Sequence, residues 1–143
     1  MITIKKVTQC ADIRRFINLP HKINKDDVNY IPELYVGQSF LLNKKKNPFF
    51  KHSEAEYYLA FDDKTCVGRI AAIANNNYNS QNNENIGFFG FFDCINDQEV
   101  AMKLLEKALE YAKSHRFTTL TGPENFTMND SCVILVYGFD SPP

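Results

Sequence analysis

Residues 86–121 decide how this chain folds: IGFFGFFDCI (86–95), NDQEVAMKLLEKALEYAKSHR (96–116) and FTTLT (117–121). The first block is apolar on both faces of an extended segment, which predicts a central strand covered on both sides. Gly87 and Gly90 remove side chains from it and point to a bulge, or to close approach by another backbone or a ligand. The second block predicts a helix. Asn96 is a suitable N-cap, and Glu99 three residues on completes a capping box. Val100, Leu104, Ala108, Tyr111 and Ala112 recur at helical spacing, Leu105 and Leu109 widen the stripe, and Lys113, His115 and Arg116 suit the C-terminal end of the dipole. The third block predicts a strand that Gly122-Pro123 breaks. Strand, helix and strand in this order make a βαβ crossover with parallel strands.

On the N-terminal side, residues 56–61 (EYYLAF) and 66–74 (CVGRIAAIA) flank the turn Asp62-Asp63-Lys64 and predict a hairpin. Residues 75–85, rich in Asn, predict a long exposed loop. Residues 2–7 alternate as a first strand at a sheet edge. Residues 12–19 predict a short helix with Ile13, Phe16 and Ile17 on one face, which Pro20 ends or follows. Residues 33–42 predict a second helix with Leu34, Phe40 and Leu41 inward, weakened by Gly37. The lysine run in residues 43–48 reads as a solvated loop rather than a phosphate site. Residues 132–137 (CVILVY) read as a strand or a buried helix, and 138–143 as a loop. The whole implies a mixed α/β sheet.

At 143 residues, with 44% hydrophobic and 23% charged, the chain suits one folded domain and not a disordered one. Lysine and arginine number 16 against 17 acidic residues, a net charge of −1, which disfavours nucleic acid as a partner. Met1 to Lys6 carries two lysines with no apolar core behind them, and the longest uncharged apolar run, 86–92, is far short of the roughly 20 residues that span a bilayer. The expectation is a cytoplasmic protein with no membrane partner. Cys10, Cys66, Cys94 and Cys132 are too widely spaced for a zinc site and read as reduced, partly buried thiols. With no secretion signal, the glycosylation sequons at Asn125 and Asn129 read as chance matches.

The element order resembles the GNAT acetyltransferase superfamily and, more closely, the front part of a larger, uncharacterised group of GNAT-like proteins. The resemblance is carried by residues 46–60 (KNPFFKHSEAEYYLA), 67–72 (VGRIAA), 87–92 (GFFGFF), 122–126 (GPENF) and 138–143 (GFDSPP). It implies a single acyl-CoA N-acyltransferase domain over residues 1–143, lacking its C-terminal helix and strands and truncated there. An open sheet edge could then pair with another chain. It also implies acetyl-CoA as co-substrate. The pantetheine arm would lie where the central strand splays from its parallel neighbour, and the pyrophosphate would sit on the N-terminus of the following helix. Carried onto this chain, the strand is 91–95, the helix starts near Asn96 and the facing strand is 118–121. The cofactor-binding residues are then Phe92, Asp93, Cys94, Ile95 and Gln98. The chain departs from the superfamily's phosphate loop. Residues 96–101 hold no glycine, and Asp97 and Glu99 place carboxylates where an anion should go, leaving Gln98 and backbone amides as donors.

Asp93, at the end of the central strand, is the candidate catalytic base for an amine; the other reading is a strand-end carboxylate capping nearby amides. Cys94 has no histidine beside it in sequence and reads as a buried thiol rather than a nucleophile. His21, His52 and His115 are scattered. Glu124, Asn125 and Asn129, with Asp130, follow a parallel strand's C-terminal end, where they orient an acceptor amine or make Asx-turns. The four phenylalanines of 88–92 are core. Two functions stand open. One is transfer of an acetyl group from acetyl-CoA to an unknown small-molecule or peptide amine. The other is a non-catalytic, degenerate GNAT-like domain that binds a partner or supports a structure.

Overall fold

In the computed structural model, which describes residues 1–132 and 134–142, five strands form one mixed sheet in the order of the chain. The elements are β1 (Ile2–Lys6), α1 (Cys10–Ile23), α2 (Tyr35–Leu41), a 3₁₀ turn (Pro48–Lys51), β2 (Glu54–Asp62), β3 (Thr65–Ala74), α3 (Asn76–Asn82), β4 (Ile86–Cys94), α4 (Gln98–Ser114) and β5 (Thr119–Thr121). Strands β1 to β4 are antiparallel, and β5 runs parallel to β4 through the α4 crossover. The predicted α/β class and the βαβ unit are therefore present.

Two apolar layers sandwich the sheet. On one face the stripe Val100, Leu104, Ala108 and Tyr111 of α4 packs on Tyr58, Ile70 and Ala72. On the other, Phe16 and Ile17 of α1 pack on Tyr57, Leu59, Ala71, Ile73, Phe88 and Phe91, and Phe126 from the chain beyond β5 joins them. Each large side chain fully buried here contributes about 1.5–3 kcal/mol. Phe126 meets the rings of Phe49, Phe50 and Phe91 at 5.0, 5.3 and 5.1 Å, which pins the segment after β5 to the α1 face.

Several local expectations are corrected. Helix α1 runs through Pro20 to Ile23. Proline there leaves the Phe16 carbonyl without its helical donor, and the Arg69 guanidinium supplies one at 2.9 Å. Residues 76–82 are helical, not a loop. Asn75 caps them by accepting from the Tyr78 amide at 3.0 Å, Asn83 closes them in the left-handed conformation, and Tyr78 packs edge-on against Phe88. Helix α4 is capped by Asp97, one residue after Asn96, because the Asp97 carboxylate reaches two amides of the first turn. Leu34 and Phe40 face solvent, as does Leu109 in part, while Leu42 takes the buried place at the end of α2. Cys10 and Cys132 are exposed, and only Cys66 and Cys94 are half-buried. Of residues 132–137, Cys132 makes an isolated bridge to Glu124 and 134–137 form no regular element; Val133, like Pro143 of the final loop, lies outside the described residues.

Candidate functional site

The site begins where β4 and β5 part. They pair for three residues, from Ile86 with Thr119 to Phe88 with Thr121. The chain beyond β5 then turns across β4. The Glu124 amide donates to the Phe89 carbonyl at 2.9 Å, and the Phe91 amide donates to Asn125 Oδ1 at 2.8 Å. Gly90 makes the crossing possible, since a Cβ there would lie 1.8 Å from the Glu124 carbonyl oxygen. The close backbone approach expected of these glycines is thus at Gly90, and the bulge is one residue on. Phe91 has φ of 48°, and Ile70 of β3 faces two residues of β4. A non-glycine residue in that conformation costs about 1–3 kcal/mol, and the burial of the Phe91 ring against Phe16 and Phe126 holds it there.

Past the crossing, the end of β4 has no strand beside it on that edge among the described residues. The Ile95 amide donates to Val67 of β3 at 3.0 Å. Amides alternate along a strand, so that of Cys94 points the other way, into the gap that β5 leaves. A cleft of about 270 Å³ opens here, walled by Arg69, Phe91, Phe92 and Asp93 on one side and by Pro123, Asn125, Ile134 and Leu135 on the other.

Its charge comes from one ion pair. Arg69 of β3 is buried; its Nε and Nη2 both bond Asp93 Oδ2, at 2.8 and 2.7 Å, while Nη1 holds the Phe16 carbonyl. The guanidinium lies over the rings of Phe16 and Phe91. Burial draws the Arg69 group down from its ordinary value and the Asp93 charge opposes this. Tyr30, in the segment between α1 and α2, bonds His21 Nδ1 at 3.2 Å, and burial followed by the charge of Asp93 raises its phenol. Asp93 thus stands at the cleft with one oxygen engaged and one side open to an approaching cation. The sequence reading missed Arg69, although a lone charge inside the apolar run VGRIAAIA was the available signal.

The other expected site residues divide. Phe92 and Asp93 line the cleft, and Asn125 lines it while fixing the Phe91 amide. Burial, then the charges of Asp93 and Asp97, push the Cys94 thiol up, which suits a structural thiol. Glu124 is buried beside the crossing, its carboxyl raised by burial and by Asp130. Asn129 sits on an exposed turn, its amide bonded to Thr127 Oγ1 at 3.2 Å, and is not part of the cleft wall. Ile95 and Gln98 lie at the start of α4. Two amides of its first turn are taken by the chain itself: Asp97 Oδ1 accepts from Glu99 at 2.8 Å and from Val100 at 3.3 Å.

The overall fold is shared with solved acetyltransferase structures. An acetyltransferase of the GNAT family from Staphylococcus aureus Mu50 matches with a TM-score of 0.59 over 88% of this chain and 75% of its own, at 18% identity. An acetyltransferase of Clostridium acetobutylicum solved with acetyl-CoA matches at 0.56 over 85% and 79%, at 13% identity. The chain has the GNAT fold. At such identities the likeness is one of fold alone. No family model matches the sequence. Among curated proteins, a bacterial ceramide synthase of Caulobacter vibrioides is 32% identical over 99% of this chain and 37% of its own length. Protein YghO of Escherichia coli K12 is 31% identical over 92% and 34%. The chain spans about a third of the length of these relatives.

The GNAT fold implies an acyl donor carried by coenzyme A, and the residues present fit it in part. The gap beside Phe92–Cys94 suits a pantetheine arm, with an amide to hold a carbonyl. The phosphate end fits poorly, because the Asp97 carboxylate occupies two amides of the first helical turn and sets a negative charge beside the Gln98 amide. No helix among the described residues is long and apolar enough to cross a membrane.

Proposed function

We propose that this chain is an N-acyltransferase domain that moves an acyl group from a thioester to an amine. The observation that carries the reading is the gap between β4 and β5, with the Cys94 amide turned into it and Asp93 on its wall. The amide polarises the thioester carbonyl and stabilises the oxyanion as the amine attacks; the tetrahedral intermediate then collapses by breaking the C–S bond, and the departing thiolate takes the surplus proton of the attacking nitrogen and leaves as the free thiol. Asp93 orients the ammonium form of the acceptor and receives its proton through Oδ1, directly or by way of water, since Oδ2 is engaged with Arg69. Arg69 acts on the reaction only by positioning Asp93. Asn125 keeps the gap open by holding the bulge.

The acceptor we favour is a long-chain amino alcohol. The Caulobacter relative is named a ceramide synthase, and a ceramide is an amide of such an amine. The approach to the cleft is apolar in keeping with this. Val28 and Ile31 before α2, and Ile134, Leu135, Val136 and Tyr137 beyond β5, are exposed, and the two segments meet where Asn29 donates to the Phe139 carbonyl at 3.4 Å.

The test is to incubate the chain with acyl thioesters of two and sixteen carbons and a panel of amines led by long-chain amino alcohols, and to follow the amide product by mass spectrometry. Product is expected. Asp93→Asn also removes the counter-ion of the buried Arg69 and so costs stability; on protein shown to be folded by circular dichroism it is expected to lower kcat/KM by at least about tenfold. A folded chain that gives no amide with any pair would favour a non-catalytic GNAT-like module instead.

A further inference from the structure

We propose that the donor site of this chain takes a pantetheine thioester without the nucleotide diphosphate end of coenzyme A, and that Asp97 is the residue that sets this preference. The inference rests on the acyl-transfer reading and adds the class of donor. Three features exclude the diphosphate. First, the start of α4 is largely engaged from within: Asp97 Oδ1 accepts from the amides of Glu99 and Val100, and the Asp97 carbonyl accepts from Ala101 at 3.1 Å, which leaves the Gln98 amide for an incoming group. An incoming phosphate would have to displace a fixed carboxylate or sit beside it. Second, the first cation along α4 is engaged elsewhere. Lys103 bonds Glu99 at 3.2 Å and the Ile2 carbonyl at 2.9 Å, so it is held on β1, behind the helix start. Third, the connection cannot open into a phosphate loop. Only residues 95–97 link β4 to α4, tied by the Ile95 amide to Val67 and the Asp97 amide to the Ile95 carbonyl at 2.7 Å. Val100 and Leu104 press so closely on Gly68 that a Cβ there would lie 3.0 and 2.7 Å from them.

The arm end of the site has none of these obstacles. Phe92 and Asp93, the Cys94 amide at the edge of the gap and the walls at Pro123, Ile134 and Leu135 recognise an uncharged pantetheine chain and are indifferent to what lies beyond its far end. The donor chemistry is therefore a thioester on pantetheine or 4′-phosphopantetheine, either free or borne on a carrier protein.

Calorimetry and amide NMR shifts on the full chain test this, with S-acetylpantetheine, S-acetyl-4′-phosphopantetheine, acetyl-CoA and an acetylated carrier protein as separate titrants. The expected result is that acetyl-CoA binds no more tightly than the phosphopantetheine thioester, with shifts at Phe92–Cys94 and none at Glu99–Ala101. Asp97→Asn, which keeps a good N-cap, should tighten acetyl-CoA by about tenfold and leave S-acetylpantetheine unchanged. Equal binding of free and carrier-borne thioesters identifies the free form as sufficient; binding of the carrier-borne form alone identifies the carrier as the source. A wild-type chain that holds acetyl-CoA tenfold tighter than the phosphopantetheine thioester, with shifts at the start of α4, overturns the inference and leaves acyl transfer standing. Absence of shifts at Phe92–Cys94 with every titrant overturns both.

Discussion

Replacing Arg69 by methionine asks whether charge and hydrogen bonding, rather than bulk, hold α1 against the end of β4. Methionine keeps most of the apolar stem. It loses the two bonds to Asp93, the bond to the Phe16 carbonyl and the cation over two rings. The Phe16 carbonyl has no other donor in its helix, because Pro20 brings no N–H, and leaving it unpartnered costs about 1–3 kcal/mol. Removing one partner of a fully buried ion pair costs about 3–5 kcal/mol. The Asp93 side chain is 32% exposed, however, so water takes up much of its charge and about 1 kcal/mol is the fair share. The ring contacts add about 0.5–1 kcal/mol. Arg69→Met should therefore lower stability by about 3–4 kcal/mol, read from the shift of the urea midpoint at unchanged m. Pro20→Ala provides the internal control. It restores an amide four residues after Phe16, so Arg69→Met should cost about 1 kcal/mol less in that background. A loss under about 1 kcal/mol for Arg69→Met, or the same loss in both backgrounds, would refute the idea that Arg69 replaces the helical donor.

Two further outcomes follow from the crossing beyond β5. Gly90→Ala drives a Cβ to 1.8 Å from the Glu124 carbonyl, so the crossing must shift; we expect a loss of about 2–3 kcal/mol and faster hydrogen exchange at the Phe91 amide, which Asn125 now protects. Glu124→Gln should stabilise the chain at pH 7 and do nothing near pH 4. Burial and Asp130 raise the Glu124 carboxyl, so the folded state holds its proton more tightly than the unfolded one, and stability falls as pH rises from about 4.5 through the folded value. Denaturation midpoints of both chains across that range would show it; equal slopes with pH would count against it.

What the sequence disclosed, and what it withheld, divides along a physical line. The stripe Val100, Leu104, Ala108, Tyr111 and Ala112 named the buried face of α4 because local periodicity and burial agree there. Asp93 and Asn125 came from a chain-order argument about where sites lie in α/β sheets, and both line the cleft. Nothing local told that Asp93 is bound to a guanidinium 24 positions away, or that this same guanidinium rescues a carbonyl orphaned by Pro20. Stopping α1 at Pro20 was sound for an isolated helix and failed because a distant strand supplied the missing donor. The Asn-rich segment misled for a related reason. Asparagine is a poor helix interior residue but a good terminus, and α3 is short enough to be mostly termini, with Tyr78 anchored on Phe88. Asp97 rather than Asn96 as the cap is a shift of one position that sequence preference cannot resolve, since both residues cap well.

The sheet's strand order equals its chain order. Each strand made during synthesis finds its partner already present: β2 closes on β1, β3 on β2, β4 on β3, and β5 on β4 once the crossover helix has formed. Among the five described strands, none has to wait beside an open position for a later one to be inserted between it and its neighbour. Domains emerge N-terminus first at about 5–20 residues per second, so the sheet can widen in step with elongation. Among the described strands, β5 and the end of β4 take shape on an antiparallel scaffold already in place, so the gap between them opens beside a surface that has been formed before it.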